Sequence, residues 1–494
     1  MDTNPAIYAV GLGPMFSLWD PRGPENWGYA TPPQAGLGGR TIDVARGKVL
    51  GGSSAVNAMI YIRGNHRDFD GWARLGNHGW SYEEVLPYFK KSETYHGPLS
   101  RYHGDNGPLP VIDMQTPAEA SHAFVEAAAL LGAKQTYNDF NGASQEAGAG
   151  FYQSTRTIDG VRATAASAFI RSILNQRNFQ LLINTRATRI IFENGRACGV
   201  TLSGSDGSAI LRADREVILC AGAYETPKLM MLSGLGPAAD LSKLGIAVEQ
   251  DLVGVGAGLQ DHMLLGVGYA CSTQQDPPEM LAEAGLFTWS GIGSRDASPD
   301  LQYFFGPVAF GFQTENPCFT FAPILAQPKS RGTVTLASAD PTMNARLDPQ
   351  YLTEEDDVSV LEYGIRYARE LVNTTAFKHL VGEELAPGAA VTSKDDLRRY
   401  VRTAASTVWH PACTCRMGVD EGAVVDPELR VRGIGGLRIA DASVMPRLVN
   451  GNPNAAIMMI AEKAADLIRG QQSAAASGGA AAAAGMMASA REPA

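Results

Sequence analysis

A short apolar run, Glu216-Val217-Ile218-Leu219-Cys220, passes directly into Ala221-Gly222-Ala223 and then into a helix expected over residues 225–232, stopped by Gly234. A strand, a glycine turn and a helix in that order form one step of an open α/β layer. Just upstream, residues 187–193 and 196–202 alternate like strands around Asn194-Gly195. Both turn residues tolerate positive φ, so a tight two-residue hairpin is expected there. Residues 179–184 read as a further strand.

Residues 271–404 have a different texture. Strand-like pieces at 301–305, 319–321 and 333–336 precede a helix in which Val358, Leu361, Ile365, Ala368 and Leu371 share one face. A second, mixed domain is therefore expected, an antiparallel sheet with helices, inserted between parts of the first. The fold class is α/β plus α+β. Residues 1–65, 176–270 and 405–470 are assigned to an open Rossmann-like domain, and residues 66–175 and 271–404 to a substrate-binding domain and lid. The Ala-rich stretch 471–494 is expected to be disordered.

With 494 residues the chain is long enough for roughly two to four domains. Its net charge of −10 would repel phosphate backbones, so nucleic acid is not an expected partner. The six cysteines are sparse and mostly sit in apolar runs, which fits reduced thiols rather than a disulfide framework. No basic, apolar leader and no span long enough to cross a bilayer are evident, so a cytoplasmic location is expected.

The segment Arg46-Gly47-Lys48-Val49-Leu50-Gly51-Gly52-Ser53-Ser54-Ala55-Val56-Asn57-Ala58-Met59-Ile60-Tyr61 resembles the first signature of the glucose–methanol–choline (GMC) oxidoreductases, in their choline-dehydrogenase-like branch. Gly222-Ala223 through Thr226-Pro227 to Ser233-Gly234-Leu235-Gly236-Pro237 resembles the second. Asp251-Leu252-Val253-Gly254 to Leu259-Gln260-Asp261-His262 follows, then His410-Pro411-Ala412-Cys413-Thr414-Cys415-Arg416-Met417-Gly418, Asp441-Ala442-Ser443 and Asn452-Pro453-Asn454-Ala455. The blocks keep the family's order over roughly residues 26–470. Two adjacent glycines followed by small hydroxyls also make physical sense, because they let backbone N–H groups approach a flat or anionic ligand.

The resemblance implies an FAD-dependent oxidoreductase that oxidises a small-molecule alcohol to an aldehyde or ketone. The first domain then becomes the FAD-binding one. Gly52, Asn57, Ala58 and Met59 would lie beside the isoalloxazine, with Gly51 and Ile60 also binding the cofactor, Ala187 near the adenine, and Asp441 and Ala442 near the ribityl chain and pyrophosphate. Val56 stands where some relatives attach flavin through histidine, so non-covalent FAD is implied. His410 would be the base for the hydroxyl proton, a task suited to a group titrating near operating pH. Asn452 would hydrogen-bond the substrate oxygen beside the cofactor. A hydroxynitrile lyase of the same architecture and a truncated non-catalytic member are the alternative functions. The electron acceptor (oxygen, a quinone or another carrier) stays open.

Some of these residues have structural readings of their own. Asn452 before Pro453 predicts a helix N-cap, with Ile457, Ala461, Ala464 and Ile468 facing inward as far as Gly470. Asp441 after an apolar strand predicts a cap as well. Phe304, Phe305 and Trp409 are expected around the substrate pocket. A quaternary amine would need aromatic and acidic company there; benzylic or aliphatic alcohols would need less.

Two departures stand out. The family opens with a strand, a G-x-G-x-x-G turn and a helix. Here Gly11-Leu12-Gly13 is followed by Pro14, Phe16 takes the third glycine position, and Gly254, Gly256 and Gly258 have the wrong spacing. A βαβ unit of roughly 30 residues is expected to be missing, leaving apolar strand faces exposed and FAD weakly bound. Cys413 occupies a position where relatives usually have glycine, so a positive φ there would strain it. It also creates His410-x-x-Cys413-x-Cys415, but zinc ligands come more often as closely spaced cysteine pairs, and no metal is expected.

Overall fold

A computed structural model describes residues 4–9, 12–204, 207–275 and 277–470. The expected disordered tail and Gly11 of the first glycine cluster lie outside the described residues.

The larger sheet is antiparallel and eight-stranded. Its main path runs Val381–Ala386, Val267–Cys271, Cys318–Leu325, Leu301–Gly306, Ala284–Thr288, Ala149–Phe151; Met263–Leu264 pairs with Cys318–Leu325 and with Ser406–Thr407. Cys318–Leu325 and Leu301–Gly306 are buried along their whole length, which requires cover on both faces. On one face, helices Glu119–Leu130 and Glu355–Val372 pack on Tyr303, Phe305 and Phe321. The expected stripe Val358, Leu361, Ile365, Ala368 and Leu371 is buried in that layer. The opposite face presents Leu264, Phe304, Ala322 and Ile324 towards Ile60 and Val408.

That split corrects the expectation for Phe305. Successive strand residues point to opposite faces. Phe304 therefore reaches the cavity side, whereas Phe305 stacks on Phe124 at 4.8 Å in the helix-covered core.

The expected α/β step is present. Val217–Leu219 pairs in parallel with Leu437–Ile439 and leads into helix Gly222–Leu232, with Gly234 just beyond its end at φ +88°. Beside it, Thr185–Glu193, Arg196–Gly204 and Gly207–Arg212 form an antiparallel sheet whose first turn has φ +52° at Asn194 and +73° at Gly195. Residues 179–184 form no strand, and Leu182 and Ile183 are exposed. An apolar run becomes a strand only where another strand satisfies its backbone, and no strand pairs with it among the described residues.

The last helix, Asn454–Arg469, ends in left-handed Gly470 as expected, but its buried stripe is rotated. Ala456, Met459, Ile460, Lys463 and Ala464 face inward, while Ala461 is exposed and Ile468 half-buried. The cause is Lys463, whose ammonium lies 5.1 Å from the ring centres of both Trp80 and Tyr88. Cation–π attraction and a buried aliphatic stem bring this polar position inside.

Candidate active site

The first glycine block turns sharply into the short helix Gly52–Ala55, with φ of +92° at Gly51 and +54° at Gly52. The Ser54 hydroxyl ties the turn together by donating to the Gly51 carbonyl at 2.6 Å and accepting from the Ala165 amide at 2.8 Å. A Cβ on Gly52 would meet no atom within 4 Å, so this backbone borders open space. Further along, Arg162 donates to the Asn57 carbonyl at 2.6 Å and to its Oδ1 at 2.9 Å, and the Met59 amide donates to the same Oδ1. These contacts hold Met59 at φ +63°, a strained backbone conformation for a residue with a side chain. Burial pulls the Arg162 guanidinium down to about 10.

Two adjoining cavities open against this turn. One, of about 360 Å³, is bordered by Gly51, Gly52, Gly222, Asp441 and Ala442. The other, of about 140 Å³, is bordered by Asn57, Ala58, Met59, Ile60, His410 and Asn452. Arg46, Ser53, Pro453, Asn454 and Ile457 border both. The structure thus brings together all the expected site residues except Ala187, which sits exposed on Thr185–Glu193 and borders neither cavity. Phe304 and Trp409 border the smaller one.

Asp441 acts from inside the protein. Its Oδ1 accepts from the Ser443 amide and hydroxyl, and its Oδ2 from the Gly222 amide at 2.9 Å and the Thr226 hydroxyl at 2.6 Å. It caps the turn Ala442–Val444 and also latches the start of helix Gly222–Leu232 to the neighbouring strand end. Asn452 departs from expectation. Pro453 is the cap residue of the last helix, no side chain caps it, and the Asn452 amide instead reaches His410. Asn452 Oδ1, the atom a helix cap would use, accepts from no helix amide and is left without a partner.

His410 is nine-tenths buried. Its Nε2 lies 3.3 Å from Asn452 Nδ2, and its Nδ1 lies 3.0 Å from Nδ1 of the fully buried His262. The Asn452 amide is a donor, so Nε2 accepts and the ring proton of His410 sits on Nδ1, shared towards His262. The His410 main chain is fixed by its amide, which donates to Asp261 Oδ1 at 2.7 Å. Asp261 Oδ2 accepts from the Tyr351 and Thr407 hydroxyls at 2.6 and 2.5 Å, and the Thr407 hydroxyl accepts from the Trp409 amide. Burial raises the Asp261 carboxyl, and these hydrogen bonds oppose the rise. Asp261, His262 and Arg162 support the site although none was assigned a role from sequence. Asp261 and His262 stand in a recognised motif, but nothing local in the sequence shows which distant loop they hold.

Burial lowers His410 well below 6.5, with the charges of His262 and Arg46 adding to the effect, and burial takes His262 down to about 3. Both rings are neutral in the folded protein at neutral pH. An unfolded chain takes up these protons near pH 6.5, whereas the folded chain resists doing so until far lower. Stability should therefore fall as pH drops below about 6.5 and keep falling towards about 3. Asp68, raised by burial to about 6, titrates in the opposite sense. The signature is thus a difference: thermal unfolding midpoints of His262→Gln should decline less steeply than wild type from about pH 6 to pH 4. Parallel slopes would show that the histidine pair is not the acid-sensitive element.

Cys413 has φ +77°, the left-handed conformation in which glycine is at ease. Its thiol and that of Cys415 are buried, and Cys415 Sγ lies 3.8 Å from Met230 Sδ, away from His410. Among the described residues no group of three His, Cys, Asp or Glu side chains is placed to hold a metal. Nor, among the described residues, is any helix long and apolar enough to cross a membrane.

Family models described as GMC oxidoreductase match residues 13–264 and 328–461. The chain belongs to the GMC oxidoreductase family. Among GMC relatives, it is 38% identical to an oxygen-dependent choline dehydrogenase of Brucella anthropi over 478 residues, covering 90% of this chain and 86% of the relative. A Sinorhizobium fredii protein of the same description is 40% identical over equal shares. Pyridoxine 4-oxidase from Mesorbium loti superposes with a TM-score of 0.85 at 31% identity, covering 94% of this chain and 91% of that one. An FAD-dependent oxidoreductase from Chaetomium thermophilum gives 0.86 at 26%, covering 95% and 93%. This GMC chain is thus an oxidoreductase of a flavoprotein family, and FAD is the cofactor its site must accommodate.

The residues present fit that group. Gly52 and Gly222 both have positive φ and nothing where a Cβ would stand. Helices Gly222–Leu232 and Asn454–Arg469 both begin at the larger cavity, presenting positive ends suited to a phosphate or an electron-rich ring. Asn452 Oδ1 is buried without a partner beside them.

Proposed function

We propose that this protein oxidises the carbinol carbon of a small alcohol, with His410 as the base and Asn452 as the group that holds the oxygen. The observation that carries this reading is the 3.3 Å pairing of His410 Nε2 with Asn452 Nδ2 on the wall of the smaller cavity. Bound FAD would supply the two-electron acceptor to which the carbinol hydrogen departs as hydride. Gly51, Gly52, Asp441 and Ala442 would hold its phosphate side, and Asn57, Ala58, Met59 and Ile60 would border its ring. Ala187 has no such supporting contact.

His410 enters the reaction neutral, because burial disfavours its charged form, and its Nε2 lone pair faces the cavity. As the hydroxyl loses its proton, Nε2 receives it, and Nδ1 keeps its own proton against His262. The Asn452 amide then donates to the oxygen while negative charge gathers there, a contact worth more in the transition state than before it. The homology to choline dehydrogenases and to pyridoxine 4-oxidase, both named for alcohol substrates, supports the same reaction type.

The test is spectroscopic. FAD-loaded protein mixed anaerobically with a panel of alcohols should lose its oxidised flavin absorbance and release the aldehyde or ketone. A cyanohydrin cleaved with no bleaching would instead establish a lyase.

A further inference from the structure

We propose that the substrate is an uncharged alcohol whose body is a compact apolar group, of the arylmethanol type, and that quaternary ammonium alcohols such as choline are poor substrates. This rests on the oxidation proposed above and names the substrate class for it.

The first ground is charge. Among the described residues bordering the smaller cavity there is no carboxylate, and the one charged side chain is Arg46, a cation. Arg46 donates to the backbone carbonyls of Ala45 and Trp409 and, among the described residues, forms no ion pair. A quaternary ammonium group would leave water for a space whose wall carries no counter-charge and one charge of its own sign; Asp261 lies behind that wall, its oxygens committed to the His410 amide and the Thr407 and Tyr351 hydroxyls. Burying an unpaired ion is among the most costly moves a binding site can impose.

Aromatic faces could in principle compensate. Trp19 and Trp409 do border the cavity, meeting edge to face with centroids 4.8 Å apart, but they stand where the Trp409 carbonyl engages Arg46. A cation drawn to those rings would share the cavity with the positive charge of Arg46. Phe304 and Phe310 pack in a different cluster, with Ile60, Leu264 and Val408. That wall suits a hydrocarbon body.

The second ground is the supply of polar contacts. The Thr320 hydroxyl is committed to the Val308 carbonyl at 2.5 Å, and the Thr407 hydroxyl to Asp261. His410 Nε2 and Asn452 Nδ2, paired with each other at 3.3 Å, stand together at one end of the cavity, where a hydroxyl can join them. One hydroxyl at one end of an apolar molecule satisfies them, while the wall of Leu264, Phe304, Phe310 and Val408 offers no side-chain partner to a polar group at the other end.

The test compares choline with neohexyl alcohol, its isostere with carbon in place of the quaternary nitrogen, and with benzyl alcohol. In the FAD-loaded full chain, kcat/KM for both neutral alcohols should exceed that for choline by roughly 100-fold or more. Choline equal to or better than its isostere would overturn the proposal. A binding arm is independent of turnover. Tetramethylammonium and tert-butyl alcohol, neither of which has a carbinol hydrogen, are titrated against the flavin spectrum, and the neutral molecule should bind the tighter. Tighter tetramethylammonium binding would overturn the proposal even if every alcohol were inert. Neutral preference with no flavin reduction would instead sustain it and refute the oxidation. Finally, Val308→Glu places a carboxylate at a half-buried position on the wall, and it should narrow the isostere-to-choline ratio by at least about 10-fold. An unchanged ratio would mean that charge is not what the wall discriminates.

Discussion

His410→Ala is expected to slow reduction of the bound flavin by an alcohol by roughly 10²–10⁴-fold, the range a positioned general base contributes. Three features make the loss large and specific. The ring is buried and neutral, so at neutral pH the whole population has Nε2 ready to accept a proton. Its Nδ1 is committed to His262 at 3.0 Å, which fixes the ring plane and leaves no rotation to a less useful geometry. And Asn452, the neighbouring polar group, is an amide that can donate to an alkoxide but cannot take up its proton. Alanine at this position would leave FAD binding nearly intact, since the glycine turn and both helix starts are untouched. The measurement is stopped-flow absorbance with the FAD-loaded variant. A variant that bleaches at the wild-type rate would remove His410 from the chemistry, whatever its place in the cavity. His410→Gln offers a control: it can hydrogen-bond but not act as a base, so its rate should stay near that of alanine.

Much of this site could be read from the residues because its signals are local. The glycine turn at Gly51-Gly52, the hairpin at Asn194-Gly195 and the strand–turn–helix at Val217 to Leu232 each need φ values or periodicities carried by neighbouring residues. His410 and Asn452 were legible through their motifs. Their partners were not. His262 is 148 residues from His410, and Arg162 is 105 from Asn57. Nothing in the spacing tells which loops a fold will bring edge to edge. Where local rules did mislead, a tertiary contact had won. Asn452 is a good helix cap by type, yet its side chain turns its Nδ2 to His410 and leaves the capping oxygen without a partner. Lys463 looks like a surface residue, yet two aromatic rings draw it inward. Phe305 sits next to Phe304 in sequence and therefore on the other side of the sheet. Cys413 is the reverse case: a single residue out of pattern correctly pointed to a left-handed backbone.

Asp261→Ala should cost more stability than any other single change at the site. The carboxylate is buried and accepts from the His410 amide, the Tyr351 hydroxyl and the Thr407 hydroxyl, all within 2.7 Å. Alanine would strand these donors in the interior. At about 1–3 kcal/mol for each of three buried groups left unsatisfied, the loss is on the order of 3–9 kcal/mol, a large part of the stability of an ordinary domain. The loop it holds includes Trp409 at φ +60°, a conformation that persists only while its surroundings impose it, here through the Trp409 amide on the Thr407 hydroxyl. Asp261→Asn should behave differently. Its Oδ1 can still accept from the His410 amide, and the two hydroxyls can rotate to accept from its Nδ2. Since burial already penalises the charged carboxylate, removing the charge costs little by itself. The asparagine variant should therefore keep most of its thermal stability, and because a shift of the His410 ring affects the reaction more than ground-state binding, kcat should fall more than KM rises. Equal unfolding midpoints for alanine and wild type would mean that the histidine loop is held by packing alone. Equal losses for alanine and asparagine would mean that the negative charge itself, rather than the three hydrogen bonds, secures the loop that carries His410.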